Sequence, residues 1–350
     1  MKVLIIGGTG TISTGITREL VARGDDVTLY NRGKRMSDIP DKDVSRILGD
    51  RTEYAAFEAQ MAEAGTWDAV IDMVAFVPDD VESAIRAFRG RTQQYIFCST
   101  VDVYTKPADV YPVTEEAERQ PSASFPYALN KAKCERLLEE AHVRGDFRVT
   151  TIRPAWTYAE GGTILHTFGW GSYYLDRLRK GRPVIVHGDG TSFWVACHRD
   201  DVARAFANAL GNRAAYGKAY HTAGEEWLTW DAYTKTVAEA LGAPEPELVH
   251  MPTDVLGRLA PKKAEWCVEN FHYNNLFDNK AAHTDLGFEY TTTFAEGARR
   301  VIRWLEAHGG FEDCDDHPFY DQLIRSWQRM IGVPGEAQAL ESSQTLQDRS

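Results

Sequence analysis

The sequence predicts an α/β protein: a doubly wound parallel sheet over its first half, joined to a smaller C-terminal α/β lobe. Three observations predict it. Short β-branched runs alternate with segments of helical period from Val3 to Cys98, a glycine-rich turn follows the first run directly, and beyond Ala155 the alternation loosens into aromatic and glycine-rich sequence.

In order, Val3–Ile6 is an apolar run read as a strand, and Ile16–Arg23 has apolar residues at helical spacing. Val27–Tyr30 is the second strand. Val44–Leu48 with Tyr54–Ala64, then Ala69–Val74 with Val81–Phe88, repeat the strand-and-helix pairing, and Tyr95–Cys98 is the fifth strand. A longer helix is expected over about Ser124–His142, followed by a buried strand near Arg148–Arg153. Asp200–Asn208, Trp230–Leu241 and Phe294–Ala307 read as helices again. Residues 1–155 are therefore assigned to the first domain, with part of 183–210 returning to it, and 156–331 mainly to the second lobe. Residues 332–350 are assigned to a polar, flexible tail.

The chain of 350 residues, 43% of them hydrophobic, is long enough for a sizeable core. Its net charge of −12 argues against a nucleic-acid partner, because phosphate-binding surfaces are rich in Lys and Arg, and points to a small solute. The five cysteines are scattered, odd in number and without a CxxC pair, which suggests neither a disulfide framework nor a zinc ribbon. A reducing, cytoplasmic setting is expected. No run approaches the roughly eighteen apolar residues of a membrane span, and Val3–Ile6 is too short for a signal-peptide core.

Directly after the first strand comes Gly7-Gly8-Thr9-Gly10-Thr11-Ile12-Ser13, then the amphipathic Ile16–Val21. Glycines let the backbone turn tightly and approach a pyrophosphate, and free N–H groups at the helix N-terminus stabilise its charge. A plain glycine-rich turn is the other reading. The strand–turn–helix context favours a cofactor site on a Rossmann domain, built by Gly7, Gly8, Thr9, Gly10, Thr11 and Ile12. After the second strand the chain reads Tyr30-Asn31-Arg32-Gly33-Lys34-Arg35, with no acid to grip the ribose hydroxyls of NAD. Arg32, Lys34 and Arg35 suit a 2′-phosphate instead, so NADP is the expected cofactor and NAD the alternative. Asp50 is a candidate acceptor for the adenine amino group, or else a capping aspartate. Asn31, Arg51, Val74 and Ala75 join the candidate cofactor set.

Ser99-Thr100 closes the fifth strand, and Tyr127-Ala128-Leu129-Asn130-Lys131 sets a tyrosine and a lysine on one face of a helix. A phenol with a pKa near 10 is a poor base at neutral pH, but an adjacent ammonium and the nicotinamide charge favour phenolate. A shift of about three units corresponds to about 4 kcal/mol. Such a tyrosine relays a hydroxyl proton while hydride moves to the cofactor.

Taken alone, the Tyr–Lys spacing is common on surfaces; the order of motifs gives it weight. Over about residues 1–307 the chain resembles the extended short-chain dehydrogenase/reductases, the NAD-dependent epimerase/dehydratase family. The matching stretches are Gly7–Ser13, Ser99–Tyr104, Tyr127–Lys131, Arg153-Pro154, Gly188-Asp189-Gly190 with His198–Ala205, and Phe277–Ala281 with Leu286-Gly287-Phe288. The resemblance implies that Thr100 hydrogen-bonds the reacting hydroxyl, that Tyr127 is the acid/base, and that Lys131 holds the nicotinamide ribose and tunes Tyr127. It also implies that Pro154 lines the nicotinamide and that the protein is a homodimer paired through helices near Val81–Phe88 and Ser124–His142. The expected substrate is a sugar or nucleotide sugar.

Three departures qualify it. Ser13 stands where the family has a third glycine. Asn31-Arg32-Gly33 is closer to an atypical branch that includes chloroplast stem-loop-binding proteins, which leaves open a non-catalytic cofactor-sensing or RNA-binding role. The acid–base pair that dehydratases carry after the catalytic Thr is half absent, with Val101 and Asp102 in its place. Asp102 is kept as a catalytic candidate for dehydration or decarboxylation, with epimerisation or ketone reduction ranked above.

Elsewhere, the acidic run Glu312–His317 reads as a solvated turn before a metal site. His187, His198 and His221 read as core or cleft histidines before substrate contacts. Trp156, Tyr158, Phe168, Trp170, Tyr173, Tyr174 and Trp194 are candidates for stacking on a sugar or for packing. Lys262, Lys263 and Arg258 are candidates for a substrate diphosphate.

Overall fold

The computed structural model describes residues 1–34 and 39–332. The first half runs β1 (Lys2–Ile6), α1 (Thr11–Ala22), β2 (Asp26–Asn31), β3 (Ser45–Leu48), α2 (Tyr54–Ala64), β4 (Trp67–Asp72) and α3 (Pro78–Phe88). It continues with β5 (Thr92–Cys98), α4 (Pro126–Arg144) and β6 (Arg148–Pro154). Then come β7 (Trp156–Tyr158), α5 (Tyr173–Arg179), β8 (Val184–His187), β9 (Phe193–Trp194), β10 (Ala196–His198), α6 (Arg199–Ala209) and β11 (Lys218–Thr222). The rest comprises β12 (Leu228–Thr229), α7 (Trp230–Leu241), β13 (Leu248–Met251), α8 (Thr253–Leu259), α9 (Lys280–Leu286), α10 (Phe294–Ala307) and α11 (Phe319–Met330).

Two compact units result. The first joins Met1–Gly162, Phe193–Leu228 and Tyr273–Val301; the second joins Thr163–Ser192, Thr229–His272 and the chain from Ile302. Where the sequence reading returns only part of 183–210 to the first domain, the chain comes back twice. The reasons lie in packing. β11 adds to β6 as a parallel edge strand, and Ala282 and Leu286 of α9 join the core of that unit.

The first unit holds a seven-stranded sheet in the order β11-β6-β5-β4-β1-β2-β3, every pairing parallel. Alternate residues of β1 face opposite ways, as the pleat requires. Leu4 and Ile6 pack with Phe57 and Met61 of α2, Val81 and Phe88 of α3, and Leu138 of α4. Val3 and Ile5 pack with Ile16 and Leu20 of α1 and Val202 and Phe206 of α6. Both faces are covered, which is why these strands read as continuous apolar runs. The strand order reverses between β1 and β4, and the ends of those two strands are the usual ligand position in this topology.

Helix α4 begins at Pro126, later than the expected Ser124. Proline fits the first helical turn because its missing N–H would lack a partner there. The helix ends on Gly145, whose φ of 79° is left-handed.

In the second unit β8 pairs with β13 in parallel. The acidic run is not merely solvated, as the sequence reading has it. Lys180 contacts Asp176, Asp313 and Asp315, Arg182 contacts Asp315, and the Cys314 N–H donates to Asp176 at 3.0 Å. The negative charges are compensated by cations next to them, and the run anchors to α5. Packing also absorbs most of the aromatic candidates. Tyr158, Tyr173, Tyr174 and Trp194 are buried, Trp156 stacks on Tyr158 at 5.0 Å, and Phe168 meets Tyr320 edge-on. Trp170, half exposed, meets Trp266 edge-on. Arg258 pairs with Asp254, and Lys263 lies over the Phe319 ring. The expected tail lies, from residue 333 on, outside the described residues.

Candidate active site

The turn after β1 is held in shape by its own residues. Gly7 has a φ of 89°, and a Cβ there would lie 2.4 Å from Val74 Cγ1, in the loop after β4. A side chain at this position would therefore push apart the two loops that meet at the strand-order reversal. Ser13 explains how the turn does without a third glycine. Its hydroxyl donates to the Gly7 carbonyl at 2.8 Å and accepts from the Gly10 N–H at 2.8 Å, bracing the loop from inside. The close helix approach falls instead to Gly15, where a Cβ would lie 2.8 Å from Arg199 Cγ and 2.9 Å from Ala203 Cβ of α6. A glycine inside a helical run was the signal for this, and the motif comparison passed over it.

The first-turn N–H groups of α1, at Thr11 and Ile12, have no carbonyl to bond within the helix, which makes this terminus receptive to an anion. At the end of β2, Asn31 Oδ1 accepts from the Gly33 N–H at 2.9 Å, while its buried Nδ2 has no protein partner. A donor left this way fits a ligand oxygen. Arg32 and Lys34 are exposed beside it, Arg32 lying 3.9 Å from Asp50. The Thr52 hydroxyl and N–H, with smaller help from Arg32 and Lys34, hold the Asp50 carboxyl below its usual range. Arg35 lies outside the described residues.

Arg51 goes elsewhere than the cofactor reading places it. Its guanidinium is buried, donating to Asp72 Oδ2 and to the Asp80 carbonyl, both at 2.6 Å. Asp72 also receives the Tyr95 hydroxyl and, at 3.0 Å, the Val74 N–H, so this interior ion pair shapes the loop that carries Val74 and Ala75. Pro154 is buried at the end of β6.

The reactive hydroxyls come from two elements. Thr100 follows β5 and caps a short 3-10 turn, its Oγ1 accepting from the Asp102 N–H at 3.2 Å and donating to Asp102 Oδ2 at 3.2 Å. Tyr127 is half-buried in the first turn of α4, and the Thr100 hydroxyl is the group that favours ionisation of its phenol. One turn on, the buried Lys131 Nζ donates to the carbonyls of Ala75 at 2.9 Å and Cys98 at 2.7 Å and lies 4.8 Å from the centres of the Phe76 and Phe97 rings. The structure thus brings together Thr100, Tyr127, Lys131, Ala75 and Asp102, all within the first unit.

The electrostatics differ from the sequence expectation. In the chain by itself, burial foremost, then the charge of Asp102, pushes the Tyr127 phenol up, and only the Thr100 hydroxyl pulls it down. Burial likewise lowers the Lys131 ammonium. Lys131 sits among backbone carbonyls instead of acting on the phenol, so the lowering expected of it is absent here.

Sequence reading missed Lys106. Its Nζ, largely buried, pairs with Asp102 Oδ1 at 3.2 Å and donates to Asn275 Oδ1 at 2.8 Å. Spacing of four from Asp102 was the available signal, but the segment is not helical and the spacing carried no weight there. It also missed the network behind the site. Arg153 is clamped on Glu135 and bonds Tyr104 at 2.6 Å, and Tyr104 contacts His221. Burial lowers His221 and, in the second unit, His187 to about 3, so both are neutral interior histidines. His198, also buried, accepts from the Asp200 N–H.

A doubly wound sheet with a glycine turn at its strand-order reversal, and a Thr–Tyr pair above a buried lysine, defines the class of nicotinamide-dependent short-chain dehydrogenase/reductases. Residues 3–223 match the NAD dependent epimerase/dehydratase family, and the chain belongs to that family. Among curated relatives, it is 34% identical over 261 residues to the chloroplast stem-loop binding protein of 41 kDa b from Arabidopsis thaliana, covering 71% of this chain and 65% of that protein. It is 27% identical over 281 residues to 2′-dehydrokanamycin reductase from Streptomyces kanamyceticus, covering 79% and 77%. The fold is that of UDP-glucose 4-epimerase from Thermotoga maritima, with a TM-score of 0.70 at 20% identity, covering 88% of this chain and 99% of that one. No helix among the described residues is long and apolar enough to cross a membrane.

Proposed function

We propose that the protein is a nicotinamide-dependent reductase or epimerase working at a hydroxyl or keto carbon of a sugar or nucleotide sugar. The observation that carries this is Lys131, buried in α4 and fixed on the Cys98 and Ala75 carbonyls one helical turn from Tyr127, whose phenol the Thr100 hydroxyl favours in its ionised form. Bound nicotinamide would supply or take up hydride. Tyr127 exchanges the proton at the reacting oxygen, Thr100 hydrogen-bonds that oxygen, and Lys131 holds α4 against the ends of β4 and β5 and presents an ammonium to the ribose. Gly7 to Ile12 would hold the pyrophosphate at the start of α1.

NADP is the proposed cofactor. The end of β2 carries no acid, Asn31 has a donor to offer, and Arg32 and Lys34 stand exposed to meet a 2′-phosphate. Asp102 is already engaged with Thr100 and Lys106, which supports epimerisation or reduction over dehydration. A homodimer through α3 and α4 and a cytoplasmic setting belong to the same reading.

Incubation with NADPH or NADH deuterated at the transferred position, against a panel of keto sugars and nucleotide sugars, tests the proposal. Deuterium in a product supports it. Retained cofactor with an inverted carbinol carbon selects epimerase, and stoichiometric consumption selects reductase. Absence of binding by either cofactor would overturn it. The resemblance to a stem-loop binding protein favours a second reading as an RNA-binding module. Tight, strongly salt-dependent RNA binding indifferent to Tyr127→Phe would support that reading, against the net charge of −12.

A further inference from the structure

Thr100 has one hydroxyl proton and two claimants for it. Asp102 Oδ2 accepts it at 3.2 Å, and the Tyr127 phenolate, which the Thr100 hydroxyl favours, is the other. Asp102 also returns a bond, its N–H donating to Thr100 Oγ1 at 3.2 Å, so the carboxylate and hydroxyl are locked in one small turn. An isolated carboxylate this deep would hold the Thr100 hydrogen bond to itself, because charge-assisted hydrogen bonds are roughly twice as strong as neutral ones. Asp102 is not isolated. The Lys106 ammonium lies 3.2 Å from its other oxygen and is itself steered by Asn275 Oδ1 at 2.8 Å, which brings a segment from residue 275 to bear on the turn after β5.

We propose that Lys106 is a positioning residue for the reaction: by neutralising Asp102 it leaves the Thr100 proton available to the oxygen that Tyr127 serves. The inference deepens the functional reading above and rests on it, since Thr100 and Tyr127 are placed there at the reacting carbon. Charged and titratable groups act on the pair: Asp102 and Cys98 both raise the Tyr127 phenol, and Lys106 faces Asp102. Removal of Lys106 uncovers the Asp102 charge, draws the Thr100 proton away and makes Tyr127 harder to ionise.

The test needs no substrate. A polyfluorinated tyrosine at position 127, whose phenol ionises at lower pH, brings the titration into the range where the chain is folded, and 19F NMR reads its midpoint. Against the otherwise unaltered protein, Lys106→Met is expected to raise the midpoint by about one unit and Asp102→Asn to lower it by about one unit. Lys106→Arg should restore it. The double variant Asp102→Asn/Lys106→Met leaves no uncompensated charge, guards against misfolding of Lys106→Met, and should titrate near Asp102→Asn. A Lys106→Met midpoint unchanged while Asp102→Asn shifts, or a double variant that follows Lys106→Met upward, overturns the proposal. Because the titration involves neither cofactor nor substrate, such a failure is distinct from failure of the functional reading, which cofactor binding and deuterium transfer decide.

Discussion

Lys131 donates to the backbone carbonyl of Cys98 at 2.7 Å, tying the second turn of α4 to the last residue of β5. A second bond, to Ala75 at 2.9 Å, ties the same ammonium to the loop after β4. Three chain segments that carry the site therefore meet on one buried cation.

That burial gives a pH signature. Burial lowers the Lys131 pKa, so the unfolded chain keeps this proton to higher pH than the folded one. Stability contributed by the group rises as pH climbs through the folded value toward the ordinary lysine value. Lys131→Met should abolish this increment while lowering turnover at least about 100-fold. Urea titrations at pH 7 and pH 9.5 read the first effect and steady-state rates the second.

Tyr127→Phe removes the proton carrier and keeps the ring. Turnover should fall by about 10²- to 10⁴-fold, with cofactor affinity, measured by nicotinamide fluorescence, within about twofold of the original because the phenol is not part of the pyrophosphate cradle. Thr100→Val should act in the same direction, more weakly. A Tyr127→Phe protein with full turnover would remove Tyr127 from the mechanism.

Ser13→Ala tests the brace in the glycine turn. Two bonds, to Gly7 and from Gly10, are lost inside a packed loop. A loss of about 1 to 3 kcal/mol in folding free energy is expected, together with weaker cofactor binding in calorimetry. Ser13→Gly should weaken binding as well, since the hydroxyl and not the small size does the bracing.

Arg32→Ala and Lys34→Ala address the cofactor choice. Charge-assisted bonds to phosphate contribute about 1.5 to 3 kcal/mol, so each substitution should weaken NADPH binding about tenfold or more and leave NADH binding nearly unchanged. Equal losses for both cofactors would count against a 2′-phosphate at this turn.

Acid should destabilise the fold through His166, His187 and His221, each lowered by burial to about 3. The unfolded chain binds these protons from about pH 6.5, so the stability they contribute is full above that pH and is lost as pH falls toward 3. Each contributes a slope of up to about 1.4 kcal/mol per pH unit. His221 lies 2.5 Å from the Tyr104 hydroxyl and 2.9 Å from the Asp278 carbonyl. His221→Gln should flatten the decline of Tm between pH 7 and pH 4.

Much of this site was legible in the residues. Gly7 to Ser13 after an apolar run, Thr100 after another, and Tyr127 with Lys131 on one helix are local patterns, readable because a turn, a strand end and a helix face involve only near neighbours. Six of the seven strands and their covered faces follow from the same kind of periodicity, whereas β11, an edge strand on β6, was not read from it. Arg51 shows the limit, since a basic residue beside Asp50 looks available until the fold sets Asp72 and Asp80 against it.

By itself, then, the sequence determined the strand-and-helix order from β1 to β6, the glycine turn, the Thr–Tyr–Lys constellation and the absence of an acid after β2. Only the tertiary structure decided that Ser13 braces the turn, that Gly15 carries the close contact with α6, and that Lys106 and Asn275 sit behind Asp102. The physical reason is range. Backbone conformation is set by neighbours in the chain, whereas the charge state and partner of a buried group are set by residues that packing brings from far along it, as residue 275 is brought to Lys106.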